Sequence, residues 1–302
     1  MKVWKSFFSG IKDAVLRPKM VFVLWLVNFL FASVLYFLVS GFLTDVLSRS
    51  GIAESLIKKG DFNVILDILT HHGGQAGTIF SVAIILFFLY ILASLFLRGG
   101  ILFSLAESLP SSTEKNKERF ASIFFRGAGR FFGRFFRLMI YSLILWAGFV
   151  LINAIFHFLV GIVTSSGDNE RMIFYMFWAR LVVFFFFYFF VLMVLDYARI
   201  KIVLENSKKV FQNMFWALGF VQNKIGRTLG LYYLLVITGV LITIAYWLLD
   251  SFISRHTMVM VLAAFVLGQI FILARSWLTI GFQAAQMRFL DSGRQLPKET
   301  GG

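Results

Sequence analysis

Five polar side chains interrupt the long apolar segments of this chain, where binding or transport chemistry would need them. They are Asn28, Asn153, His157, Arg180 and Gln269. Asn153 and His157 are four residues apart, so a helix would place both on one face, as a proton or ion relay requires. No Asp or Glu lies inside any of these apolar segments. The alternative for the pair is therefore an interhelical hydrogen bond, worth about 1 kcal/mol or less.

Arg180 has two interpretations. Its guanidinium reaches the near membrane surface if the side chain snorkels outward, and aromatic residues typical of an interface lie close to it in the sequence. The alternative is a buried ion pair or an anion site. That role would need a carboxylate partner such as Asp168, Glu170 or Asp250.

Metal chemistry has little support in the sequence. Asp67, His71 and His72 lie together in the connection 41–77, but adjacent histidines on a helix point about 100° apart and do not easily bind one ion. The chain has no cysteine. We predict no metal site and no cofactor.

Three acids near the ends of the apolar segments are the best candidates for catalysis. Glu107, Asp196 and Glu205 could serve an intramembrane lipid-modifying enzyme, or they could cap helices and pair with neighbouring Arg and Lys residues. The chain contains no P-loop, HExxH or GxSxG pattern. We therefore predict that the protein is not an enzyme and has no catalytic residue.

Composition places the chain in a membrane. It is 59% hydrophobic and 15% charged, whereas a soluble domain is about a quarter charged. A hydrocarbon core of roughly 30 Å needs about 20 apolar residues in a helix. Six segments are that long or nearly so: Met20–Ser40, Thr78–Leu97, Leu138–Val163, Met172–Leu195, Thr228–Leu249 and Thr257–Ala274. They are too long for barrel strands, so we predict an all-α polytopic membrane protein, a single membrane domain over residues 1–302.

Basic residues predict the orientation of the spans. Residues 1–19, 98–137, 196–227 and 275–302 carry 23 of the 29 Lys and Arg residues, and the three other connections carry 5. The positive-inside rule then places both termini in the cytoplasm, and we expect a plasma membrane location, in a bacterial inner membrane. The formal net charge of +14 is a property of the cytoplasmic face and predicts no nucleic-acid partner.

The six spans form three hairpins in a repeated pattern. A basic amphipathic segment precedes each odd-numbered span, and we call these the leading segments: Trp4–Lys19, Phe120–Arg137 and Val210–Arg227. A short polar continuation follows each even-numbered span, and we call these the trailing segments: Arg98–Glu107, Asp196–Glu205 and Arg275–Ala284. We predict pseudo-repeats over about 1–110, 111–207 and 208–302, with the leading segments as amphipathic helices in the membrane interface.

The second leading segment has the clearest pattern. At about 100° per residue its arginines fall on one arc and its phenylalanines on the opposite one. The arginines are Arg119, Arg126, Arg130, Arg134 and Arg137, and the phenylalanines are Phe120, Phe124, Phe131, Phe132, Phe135 and Phe136. Such a helix lies in the interface, so Arg126, Arg130, Arg134 and Arg137 are predicted to contact anionic lipid headgroups or a partner protein. The alternative is a basic flank that only sets topology.

Two stretches resemble a known membrane family. They are Gly127–Arg137, which precedes the third span, and Asp196–Glu205, which leads to Gly226–Gly230. The arrangement resembles uncharacterised bacterial multi-pass proteins grouped with the membrane domain of glycerophosphoryl diester phosphodiesterases. The resemblance implies membrane placement without hydrolytic activity, since it carries over no catalytic residue.

Three functions are compatible with the sequence. We favour a non-enzymatic membrane scaffold or accessory subunit that contacts lipids and partner membrane proteins, because the apolar surfaces are large and polar lining is sparse. A transporter or channel for a small solute is the second, since many transporters have internal repeats. The third is the lipid-modifying enzyme described above.

Overall fold

The computed structural model describes residues 2–50, 73–109, 119–165, 170–254 and 257–294, and these residues form eight helices. The helices are α1 (Lys2–Val15), α2 (Pro18–Ser50), α3 (Gly73–Ala106), α4 (Phe120–Ser165), α5 (Glu170–Leu204), α6 (Val210–Asn223), α7 (Ile225–Ser251) and α8 (Met258–Arg294). The described part of the chain contains no strand. The predicted all-α class is confirmed.

Six of the helices are long and apolar enough to cross a membrane, which confirms the predicted number of spans. They are α2, α3, α4, α5, α7 and α8. Several are longer than a bilayer requires. The 46 residues of α4 would extend about 69 Å at 1.5 Å per residue, more than twice the hydrocarbon thickness. The excess in α4 is the second leading segment, and the excess in α3, α5 and α8 is the three trailing segments.

The chain forms two compact units, Phe22–Leu95 and a larger one of Met1–Val21 with Phe96–Gly302. In the smaller unit α2 and α3 pair as a hairpin. The rings of Phe31 and Tyr90 are 5.4 Å apart, and the Tyr90 hydroxyl donates a 3.0 Å hydrogen bond to Asn28 Oδ1. Asn28 therefore accepts an interhelical hydrogen bond.

In the larger unit α4 pairs with α5, and α7 pairs with α8. Phe149 of α4 and Phe184 of α5 have ring centroids 5.2 Å apart. Tyr246 of α7 stacks on Phe271 of α8 at 4.4 Å. Each pair of consecutive spans is thus joined by aromatic contacts, as the predicted hairpins require.

The second leading segment differs from the prediction because it is not a separate helix. Pro18 lacks an amide hydrogen and separates α1 from α2, and a turn at Lys224 separates α6 from α7. In contrast, α4 runs without a break from Phe120 through the third span. No proline interrupts it, and packing offsets the roughly 1 kcal/mol by which each of its glycines disfavours a helix.

The buried core of the larger unit lies mainly in the leading and trailing segments and in the span residues that adjoin them. Its largest fully buried side chains include Phe124, Phe131, Phe135, Tyr197, Met214 and Leu138. The span residues beyond these segments expose apolar side chains on α4, α5, α7 and α8. Helix packing is therefore tightest at the basic end of the spans, the end that carries these segments.

Candidate functional site

The last trailing segment and the residues that follow it in α8 pack against the first leading segment through small residues. A Cβ added at Gly10 of α1 would lie 2.5 Å from the backbone nitrogen of Ala285 of α8. One turn away, a Cβ at Gly281 would contact the Cβ of Ala14 at 3.7 Å. Both helices thus present a small residue, three intervening residues and another small residue, the pattern that allows close approach of helices in membranes.

Charged groups hold the same crossing. Arg288 of α8 donates to both carboxylate oxygens of Asp13 of α1, at 2.5 and 2.7 Å. Arg17, between α1 and α2, donates a 2.9 Å hydrogen bond to the carbonyl of Ser104 in α3. Burial lowers the pKa of the Arg17 guanidinium, Asp13 partly opposes this effect, and Arg288 adds to it. The first leading segment is therefore anchored to two trailing segments.

The first trailing segment packs against the second leading segment in a similar way. A Cβ at Gly99 of α3 would lie 3.3 Å from the Cα of Ala128 of α4, and one at Gly127 would clash with the side chain of Phe103. Arg126 Nη2 forms a 3.0 Å ion pair with Glu107 Oε1 beside this crossing. Gly127 is thus required by close packing and not by backbone conformation.

The second trailing segment packs against the third leading segment through aromatic rings. Tyr197 of α5 and Phe220 of α6 have centroids 5.1 Å apart. The ammonium group of Lys201 lies 3.8 Å from the ring centre of Trp216. That distance is typical of a cation–π contact.

These three crossings close a ring. Each trailing segment packs on the leading segment of the next hairpin, and the last trailing segment packs on the first leading segment. We call this arrangement the segment ring; it lies entirely within the larger unit. The contacts follow the order that the predicted threefold repeat implies, and the repeat itself stays a prediction.

The predicted arginines lie on the surface of α4, but they are not equivalent. Arg126 is bound to Glu107, whereas Arg130 and Arg137 are exposed. Arg134 Nη1 donates a 2.8 Å hydrogen bond to Asn206 Oδ1, at the end of α5. Arg119 is exposed at the start of the helix. Contact of these residues with lipid or a partner stays a prediction.

The centre of the opposite, aromatic arc of α4 packs against protein, and placement of this helix in the membrane interface stays a prediction. Phe124, Phe131 and Phe135 are each 1% exposed, and Phe131 packs on Phe103 of α3 with centroids 5.8 Å apart. Neighbouring helices of the segment ring cover these phenylalanine side chains. A cationic arc opposite an aromatic arc fits a helix on a protein core as well as a helix on a bilayer, and periodicity does not distinguish the two.

Both separate leading helices nevertheless expose aromatic side chains. On α1, Trp4 and Phe8 are 55% and 62% exposed and stack at 6.0 Å. On α6, Phe211 and Phe215 are exposed with centroids 4.7 Å apart. Lysines edge the exposed face of α1, which is the composition of a helix at a membrane interface.

The polar residues within the spans do not converge on one site in the described structure. Asn153 Nδ2 donates to the carbonyl of Phe149 in its own helix at 2.9 Å, so its hydrogen bond is not interhelical. His157 and Arg180 are exposed. Gln269 is half-buried and Asn28 belongs to the smaller unit. The described contacts assemble no relay from these groups.

The three candidate acids lie beside basic groups. Besides the Glu107 pair, Asp196 Oδ1 accepts a 2.7 Å bond from Arg199 Nη1, and Glu205 Oε2 lies 3.8 Å from Lys201 Nζ. These pairings match the alternative given for them above. Asp67, His71, His72 and Asp168 lie outside the described residues. Within the described ranges no group of three or more His, Asp or Glu residues could hold a metal ion.

Sequence patterns missed the Asp13–Arg288 pair and the role of Asn206. Asp13 and Arg288 are 275 residues apart, and no local signal joins them. Asn206 has a φ of 48° at the end of α5, and helix C-termini favour Asn or Gly there, so its place could have been predicted but not its partner. Comparisons with protein-family models, curated proteins and solved structures found no match to this chain.

Proposed function

We propose that the protein is a non-enzymatic integral membrane scaffold or accessory subunit that contacts lipids and other membrane proteins. The observation that carries this proposal is the position of its core. Buried side chains of the larger unit concentrate in the segment ring, and the span residues beyond it present apolar side chains outward. A surface of this kind binds lipid chains or other transmembrane helices.

The exposed surface of α4 is wide. Val150 and Leu159 are 62% and 52% exposed, and they lie nine positions apart on the helix, which is about 180° around the axis. Phe158 and Ile155, which are 69% and 52% exposed, lie on the arc between them, so about half of the circumference of α4 at this level is exposed in the described structure. Lipid covers such a face, and so does a partner helix.

Polar groups on the exposed faces favour a partner protein for part of this surface. His157 of α4 and Arg180 of α5 are exposed in predicted spans, where an unsatisfied polar group is costly. A partner helix with a carboxylate or carbonyl acceptor at that level would satisfy them. We include in the proposal a plasma membrane location with both termini in the cytoplasm, and kinship with the phosphodiesterase membrane domain, which implies no hydrolysis here.

Cross-linking in native membranes tests this function. A photoactivatable residue at Val150 or Leu159 should form cross-links to other proteins, and the same residue at the buried Phe149 should form none beyond the chain itself. Purification in mild detergent should then recover the cross-linked protein in stoichiometric amount. Repeated recovery of a lone monomer without bound lipid, and no cross-link from either exposed position, would refute the proposal.

A further inference from the structure

We infer that the junction of α4, α5 and α6 is a binding site for the phosphate group of an anionic phospholipid. The site, which we call the basic patch, consists of Arg130, Arg134 and Arg137 of α4 with Lys208 and Lys209 between α5 and α6. It deepens the lipid-contacting half of the proposed function and rests on it. The scaffold half is independent of this site.

Arg134 is the fixed centre of the basic patch. Its 2.8 Å bond goes to Asn206, which the end of α5 holds in place. There the Ser207 amide donates to the Ile202 carbonyl at 3.1 Å and the Asn206 amide to Val203 at 3.2 Å, the pattern of a Schellman helix end. Arg134 is therefore a positioning residue that joins α4 to the loop carrying the lysines.

The two lysines lie beside the arginine face. Seven residues after Arg134 on the same side of α4, Tyr141 packs on Phe211 of α6 with centroids 5.4 Å apart. The loop from Asn206 to Phe211 thus follows α4 from Arg134 to Tyr141. Lys208 and Lys209, both exposed, lie in the middle of that loop.

The charges of the patch are of one sign. Arg130 and Arg137 both act on Arg134 by repulsion. In the part of the chain that the structure describes, no carboxylate oxygen is within 4 Å of Arg130, Arg137, Lys208 or Lys209. Arg126, which is paired with Glu107, does not belong to the patch. Three guanidinium groups close enough to repel one another, beside a loop with two exposed lysines, favour a bound anion, and guanidinium groups bind phosphate oxygens well.

The surface next to the patch identifies the phosphate as that of a lipid. The predicted third span begins at Leu138, directly after Arg137, which places the patch at headgroup level. Ile144 and Leu151 follow Arg137 by seven and fourteen residues, so they continue the same side of α4, and they are 57% and 61% exposed. Acyl chains can lie along this apolar strip while the phosphate contacts the arginines. A free phosphate would use only the basic part.

Titration of the full-length protein in neutral detergent tests the site. Phosphatidylglycerol is the anionic probe and phosphatidylcholine the zwitterionic comparison, with binding followed by native mass spectrometry. We expect phosphatidylglycerol to bind more tightly, and Arg130→Gln/Arg137→Gln to weaken its binding by roughly tenfold or more. Lys208→Gln/Lys209→Gln should weaken it in the same direction. These side chains are exposed, so the variants should keep the melting temperature of the parent protein.

The matched control is Lys5→Gln/Lys12→Gln, which removes two exposed charges of α1 and should leave affinity within about twofold. An equal loss in this control, or equal binding of the two lipids, would overturn the site in favour of general electrostatic attraction. Displacement of the lipid by millimolar glycerol 3-phosphate would overturn the lipid assignment in favour of a free phosphate. Recovery of partner proteins tests the scaffold proposal separately. If the protein still binds partners but shows no preference for phosphatidylglycerol, only the lipid site is refuted.

Discussion

Arg288 near the end of α8 donates hydrogen bonds of 2.5 and 2.7 Å to the two carboxylate oxygens of Asp13 in α1. The two residues are 275 positions apart in the sequence. This ion pair lies beside the contact between Gly10 and Ala285. It fixes the rotation of α1 about its own axis, and the small residues fix the distance between α1 and α8. Together these contacts join the first leading segment to the last trailing segment.

Asp13→Asn should destabilise the larger unit. The amide keeps the shape of the side chain but leaves Arg288 without its counter-charge. The side chain of Asp13 is 16% exposed and that of Arg288 is 33% exposed. We expect a loss of about 1–2 kcal/mol, between the values for exposed and buried pairs. Thermal unfolding in detergent measures it. The control is Glu205→Gln, which removes the longer ion pair between Glu205 and Lys201. An equal loss of unfolding free energy in this control would contradict a special role for Asp13.

Two glycine substitutions should have opposite effects. Gly10→Ala places a Cβ 2.5 Å from the backbone of α8, and overpacking of that kind costs about 1–3 kcal/mol. Gly129→Ala meets no atom within 4 Å, so higher helix propensity should stabilise α4 by up to about 1 kcal/mol. The midpoints of thermal unfolding in detergent should therefore move in opposite directions. A higher midpoint in both variants would show that the crossing at Gly10 is looser than described.

Tyr90→Phe should weaken the first hairpin slightly. It removes the hydroxyl that donates to Asn28 and leaves the ring contact with Phe31. Hydrogen bonds between transmembrane helices contribute about 0.6 kcal/mol on average, so the loss should be of that order. Unfolding in mixed detergent micelles is sensitive enough to detect it. Tyr36→Phe is the control because Tyr36 is 67% exposed, and it should change nothing.

Substitutions of Asn206 should separate backbone strain from side-chain bonding. Asn206→Gly keeps the positive φ and loses only the acceptor for Arg134, whereas Asn206→Ala also strains the helix end by roughly 1 kcal/mol. Both variants should bind phosphatidylglycerol less tightly, and only the alanine variant should lose stability. Unchanged lipid affinity in Asn206→Gly would mean that Arg134 does not need this bond.

The absence of cysteine from the chain permits a direct test of orientation. Single cysteines at Lys12 and Lys208 should react with a membrane-impermeant maleimide only after the membrane is opened. Single cysteines at Ser251 and Thr257 should react in intact cells. Labelling of all four positions from the same side would contradict the predicted topology.

Hydropathy was sufficient to predict the six spans because lipid requires long unbroken apolar runs. The break between α1 and α2 has an equally local cause, since Pro18 lacks an amide hydrogen. The burial of Phe131 could not be predicted, since lipid and a protein core place the same demand on an aromatic face. Packing decides between them, and it depends on Phe103 and Gly99 of another helix.

The candidate site was predicted in part. The arc of Arg126, Arg130, Arg134 and Arg137 lies on the surface, as its period indicates. Its division into paired and unpaired members depends on Glu107 and Asn206, which only the folded chain brings close. Lys208 and Lys209 joined the patch for the same reason.

Closure of the segment ring imposes an order on biogenesis. The face of α1 that contains Gly10 and Ala14 leaves the ribosome some 275 residues before Ala285 and Arg288. At roughly 5–20 residues per second, that interval is about 14–55 s. During it the nascent helix must rest against the membrane surface or a chaperone. A ribosome stalled before residue 280 would therefore leave the segment ring open, with its contact surfaces accessible to quality-control proteases.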